Sequence, residues 1–83
     1  MRHARAAALD ALEDVLTALR GHEELRETKR GIFYRKSVAF LHFHEDPAGL
    51  FADLRIDGAF ERFPVNTSRE RGELRTRVAR LLA

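Results

Sequence analysis

The chain has no cysteine and no tryptophan, and only two prolines among its 83 residues. Without cysteine there is no disulfide, no thiolate metal site and no thiol nucleophile. That fits a reducing compartment, and a cytoplasmic location is the expectation. A long apolar run is missing too. Asp10, Glu13 and Asp14 interrupt the apolar N-terminal stretch. A membrane-spanning helix needs about 20 apolar residues, and a signal peptide needs an unbroken apolar segment. No targeting segment and no membrane partner are therefore expected. Asn66-Thr67-Ser68 has the form of a glycosylation acceptor, which has no use without secretion.

Motifs of catalysis are equally scarce. There is no glycine-rich phosphate loop and no nucleophile elbow. Ser37 and Ser68 are the only serines, one in a turn and one at a helix start. The sequence gives no positive case for an enzyme and calls for no cofactor. A large charge of one sign is also lacking, since the formal net charge is +2. The distribution is uneven: residues 67–83 carry five arginines against two glutamates, while residues 1–28 are net acidic.

What is present suits one small α+β domain spanning 1–83. Hydrophobic residues make up 45% and charged residues 34%. A domain this small hides only roughly 60–65% of its unfolded surface, so self-association is a cheap source of further burial.

Leu9, Leu12, Leu16 and Leu19 share one face of a helix expected over 4–20, with Val15 widening the stripe. Gly21 stands where a left-handed helix cap belongs, and 22–29 reads as a polar connection. Four β-rich runs follow, Arg30–Arg35, Val38–Glu45, Leu50–Ile56 and Ala59–Val65. Lys36-Ser37, Asp46–Gly49 and Asp57-Gly58 separate them, and such short links force an antiparallel meander. Thr67-Ser68-Arg69-Glu70 is a capping box that opens a last helix with Leu74, Val78 and Leu81 as its stripe. The expected order is helix, four strands, helix, with both helices on one sheet face.

Counting outward from the three loops pairs Ile32 with Leu41, Phe33 with Phe40, His42 with Asp53, Asp53 with Arg62, and Arg55 with Phe60. One face then collects Ile32, Tyr34, Ala39, Leu41, Phe43, Leu50, Ala52, Leu54, Ile56, Phe63 and Val65, broken only by Glu61. The other carries Phe33, Val38, Phe40, Phe51, Arg55 and Phe60. No helix is left to cover it, and exposed apolar patches of this kind mark contact surfaces. The first functional reading is an interaction module, a homodimer or a partner-binding domain, that uses these six residues. The alternative cover for them is the segment 22–29.

On the same face, His42 and His44 stand at i,i+2 with Asp53 opposite His42. Two imidazoles and a carboxylate form a metal-ligand inventory. The second reading is therefore a small-ligand or divalent-metal site at His42, His44 and Asp53. His3 and His22 are expected outside the sheet, and a polar cluster of His42 with Asp53 and Arg62 is the plainer alternative. The third reading is weak, salt-dependent nucleic-acid binding by Arg69, Arg77 and Arg80 on the last helix.

The run Gly31–Lys36, then Ala39–Pro47, then Gly49–Arg55 resembles small bacterial proteins of unknown function. That likeness implies no activity. The element order is also similar to that of MmcQ/YjbR-like and frataxin-like domains. The frataxin likeness implies an acidic ridge for iron, for which Asp10, Glu13 and Asp14 are the available residues. The YjbR likeness implies nucleic-acid binding through arginines.

Overall fold

A computed structural model describes residues 2–83. The order is β1 (Arg2–His3), α1 (Ala6–Ala11), α2 (Glu13–Arg20), β2 (Leu25–Lys29), β3 (Ile32–Arg35), β4 (Val38–Asp46), β5 (Gly49–Ile56), β6 (Ala59–Pro64) and α3 (Ser68–Leu82). The expected α+β class, antiparallel sheet and C-terminal helix are present. The count is not: among the described residues the sheet has six strands rather than four, and there are three helices rather than two. No described helix is long and apolar enough to cross a membrane.

The sheet runs β2-β3-β4-β5-β6, and β1 pairs with β4. β5 occupies one edge of β4 from Leu41 to Asp46. β3 takes the other edge as far as His42, and β1 continues along it opposite His44 and Glu45. The polar segment 22–29 contributes β2, a sheet edge strand, and does not cover the outer face. Its alternation is weak, which is why it reads as a connection.

The first helix is two. Leu12 has φ −103° and ψ 10°, and its N–H bonds back to the Leu9 carbonyl in a tight i→i−3 turn. No glycine or proline marks that break. The apolar stripe survives it: Leu9, Leu12, Val15, Leu16 and Leu19 are all buried. Gly21 is right-handed at φ −74°, not left-handed as expected. Gly31, after β2, is left-handed at φ 83°. Its N–H donates to Glu27 Oε2 at 2.9 Å, and a Cβ there would meet Leu9 Cδ2 at 2.7 Å. The left-handed backbone strains any side chain at that position, and Leu9 would have to shift to admit one.

Lys36 and Ser37 form a two-residue hairpin turn with φ 51° and 67°, and Asp57-Gly58 forms another with φ 52° and 82°. The β4–β5 and β5–β6 registers are those counted from the loops, including Leu41 with Leu54, His42 with Asp53 and Asp53 with Arg62. The β3–β4 register is not. Tyr34 pairs with Ala39, but Phe33 pairs with Leu41 and Ile32 with His42. Phe40 is the extra residue of a β-bulge. Such an insertion breaks the simple count and changes the side on which every later side chain falls.

The consequence corrects the outer-face expectation. Phe33 and Phe40 are only 1% and 4% exposed, and both belong to the core under the helices. They are unavailable to a partner. Ile32 and Tyr34 take places on the outer face instead. The core is completed by Phe43, Ala52 and Leu54 from the sheet, Val65, and Leu74, Val78 and Leu82 from α3. α2 and α3 lie together over this face. Arg71 of α3 reaches Asp14 of α2 at 3.1 Å, and Arg20 of α2 reaches Glu27 of β2 at 2.7 Å. The capping box forms as expected, with Thr67 accepting from the Glu70 N–H and Glu70 reaching back to the Thr67 N–H.

Candidate metal centre

The site begins with the two-residue period of β4. Leu41 and Phe43 are drawn into the core, so His42 and His44 must face the other way. Pairing sets Asp53 of β5 opposite His42, and Arg62 of β6 opposite Asp53. β1 then adds what the sequence reading lacked. His3 pairs with His44, and the Ala4 N–H donates to the Phe43 carbonyl at 3.0 Å, which holds the N-terminal segment against β4. His3 therefore does not lie outside the sheet.

Three imidazoles converge on one patch. One ligand atom from each of His3, His42 and His44 lies within 4.8 Å of the other two. The His3 and His44 rings stack with centroids 4.8 Å apart, and His42 meets His44 edge-on at 4.7 Å. Phe60 closes the side of His42 at 4.7 Å, and Arg55 lies over the Phe60 ring.

The polar contacts are tighter still. His42 Nδ1 and His44 Nε2 are 2.7 Å apart. His44 Nε2 lies 3.1 Å from Asp53 Oδ2, and His42 Nδ1 lies 4.0 Å from that oxygen. Arg62 forks onto Asp53, donating from Nε to Oδ1 and from Nη2 to Oδ2, both at 2.8 Å. Asp53 is the buried charged residue of the fold, at 7% exposure.

Charge states follow from these neighbours. The Arg62 hydrogen bonds hold the Asp53 carboxyl below its ordinary range, against the opposing effect of burial. Asp53 is an anion. Burial pushes both His42 and His44 below the usual imidazole value; beside His42 the charge of His44 adds to this, and for both rings Asp53 opposes it. The two rings are neutral at pH 7, the form that binds metals. A hydrogen on His44 Nε2 would serve Asp53 and His42 together. His44 Nδ1 is buried and has no hydrogen-bond partner.

The other expected sites are scattered. Of the six residues expected on the outer face, Phe60 is 39% exposed and Phe51 is half-buried opposite His44, while the bulge turns exposed Val38 to the helix side, where its partner Arg35 donates to the Leu81 carbonyl. Arg55 donates from Nε to the Ala39 carbonyl at 2.6 Å and from Nη1 to the Gly58 carbonyl at 3.1 Å, so it ties down the β-turn. Arg69, Arg77 and Arg80 line a groove beside β6, far along the chain from the histidines. His22 follows α2 and is not part of the histidine cluster. Asp10 and Glu13 are bound to Arg30, and Asp14 to Arg71 and Arg75, so the acidic helix residues already have cationic partners.

His3 is the residue that sequence reasoning missed. A two-residue strand leaves no periodic signal, and Arg2-His3 precedes a helix with nothing to mark it as sheet. Searches against protein-family models, curated proteins and solved structures return no match.

Proposed function

We propose that this domain binds one divalent transition-metal ion of the zinc class through His3, His42 and His44, with Asp53 as a fourth donor. The convergence of three imidazoles from two strands carries the reading. A chance HxH pair on a strand supplies two ligands. Here a separate segment of the chain brings a third to the same point.

The spacing supports it. In a tetrahedral site with bonds of about 2.0–2.1 Å, neighbouring donors sit about 3.3 Å apart. The His42, His44 and Asp53 donor atoms are separated by 2.7, 3.1 and 4.0 Å. Adjustments of several tenths of an ångström bring these three edges to that value. Nitrogen and carboxylate donors suit zinc, and also iron, nickel and copper.

The surroundings fit as well. Arg62 would orient Asp53 from behind, the role that outer hydrogen bonds play at metal sites. An ion bound to His44 Nε2 would move that ring's proton to Nδ1, the buried nitrogen that otherwise has no partner. The Arg2 backbone lies close enough to favour a proton on the ring. Phe60 and Phe51 flank the cluster and limit water. These residues hold and shield an ion. Four protein donors fill a tetrahedral site and leave no open position for a substrate or an activated water, so binding, rather than turnover, is the proposed role.

The interaction-module reading is weaker on this geometry, since Phe33 and Phe40 were its central anchors and are buried. The test of the metal reading is cobalt(II) absorption. Intense visible d–d bands of a tetrahedral nitrogen–oxygen site are expected at one equivalent, and His42→Ala should abolish them. Only the pale spectrum of octahedral aqueous cobalt, unchanged by added protein, would refute the assignment.

A further inference from the structure

The second feature lies where α3 runs beside the last strand. β6 is the terminal strand of the sheet order, and nearly all of it is exposed. The Val65 N–H donates to the Leu50 carbonyl, so that residue points its backbone toward β5. By alternation Glu61 and Phe63 do the same, and the backbone groups of Phe60 and Arg62 point outward. Pro64 has no N–H and ends the ladder on that side. An open edge of this kind is a template for another strand.

α3 turns that edge into a groove. A cleft of about 700 Å³ is lined by Phe63 and Pro64 of β6 and by Arg69, Leu74, Arg77 and Arg80 of α3, among others. Its floor is apolar, with Leu74 buried and Phe63 half-buried. Its charge is one-sided once internal pairs are removed. Glu70 is occupied by the helix cap, and Glu73 lies 3.5 Å from Arg69. Arg77 stacks over the Phe63 ring at 5.6 Å. Among the described residues, neither Arg77 nor Arg80 has a carboxylate within salt-bridge distance.

We infer that this groove captures an extended acidic peptide segment of another protein, which adds to β6 as an additional strand. The outward backbone of Phe60 and Arg62 supplies the ladder. The side chains on the α3 side of the peptide, apolar and acidic in turn, meet the Phe63–Leu74 floor and Arg77 and Arg80. Strand addition beside a flanking helix is a recurrent mode of peptide recognition, in which main-chain bonds give affinity and pockets give selectivity. The same arginines suit a nucleic-acid strand less well. A single aromatic ring lines the groove where a stacking platform uses several, and the net charge of the chain is only +2.

The experiment uses a fluorescein-labelled peptide in which valine and glutamate take successive α3-facing positions with serine between them, about eight residues long to span the strand at ~3.4 Å per residue. Controls are the same peptide with a central proline, its lysine counterpart, and a single-stranded oligodeoxynucleotide of equal charge. Saturable anisotropy with the acidic peptide is expected, with amide shifts centred on Phe60 and Arg62. Arg77→Glu combined with Arg80→Glu should weaken it at least about tenfold, as should the central proline, which deletes a ladder donor. Both arginines are exposed, and an unchanged circular dichroism spectrum would confirm that the variant folds. Equal binding of the proline peptide, tighter binding of the oligonucleotide, or no saturation by the acidic peptide would each overturn the inference.

Discussion

The two faces of the sheet are built from the same strands and do opposite things. Under the helices, Phe33, Phe40, Leu41, Phe43, Ala52 and Leu54 are almost wholly buried and make a dry core. On the outer face the alternate residues of β4, β5 and β6 gather His42, His44, Asp53 and Arg62, with Phe60 left partly in water. One face is held by apolar packing. The other is held by hydrogen bonds and charge, and its three imidazoles converge on the point proposed for an ion. The difference puts the apolar core of this small domain on one side and the proposed site on the other.

The largest expected effect breaks that comparison if it fails. Phe40→Ala should cost about 3–5 kcal/mol in urea unfolding, the usual range for emptying a buried phenylalanine site. Phe60→Ala, on the outer face, should cost under about 1 kcal/mol. Equal costs would mean that Phe40 is not core and that the bulge at β4 is misplaced.

That bulge also marks the limit of what the sequence discloses. The β4–β5–β6 meander is legible because Asp57-Gly58 and Asp46–Gly49 fix loop lengths, and the alternation of Leu41, Phe43, Ala52 and Leu54 then fixes register. From Lys36-Ser37 the same counting works for two pairs, Arg35 with Val38 and Tyr34 with Ala39, and fails at the next. A bulged residue such as Phe40 has no composition that distinguishes it from a paired one. It sends two phenylalanines inward that simple alternation sends outward. At the metal cluster, His42, His44 and Asp53 follow from period and pairing. His3 does not, because its placement depends on a two-residue strand finding an unpaired stretch of β4, a tertiary event.

Next in size is the cap that holds α3 over the covered face. Thr67→Ala removes the side-chain oxygen that accepts from the Glu70 N–H, and should destabilise by about 0.5–2 kcal/mol in thermal or urea unfolding. The outer cluster should be unaffected, so metal affinity serves as the control. A change in both together would show that the faces are coupled.

The smallest effect is a matter of pH. Hydrogen bonds from Arg20, the largest cause, lower the Glu27 pKa where β2 meets α2. The folded state therefore binds this proton less readily than the unfolded chain. The resulting stabilisation is complete above the unfolded value of about 4.3 and is lost as pH falls through the folded one. Glu27→Gln should lower stability at neutral pH, where the ion pair is intact, and flatten the acid slope so that the two profiles converge at low pH. A profile that keeps its full acid slope would remove this ion pair from the account of the covered face.

The outer face is tested most directly by titrating zinc calorimetrically into the metal-free wild type and into His3→Ala, His42→Ala and His44→Ala. One ion per chain is expected for the wild type. Each variant should lose at least about tenfold in affinity, in the range seen when a metal site is damaged. Because His3 contributes only a two-residue strand, its variant should keep the unfolding midpoint of the metal-free wild type. Binding without one-to-one stoichiometry, or binding that survives His3→Ala unchanged, would contradict the claim that three histidines on this face form one metal centre.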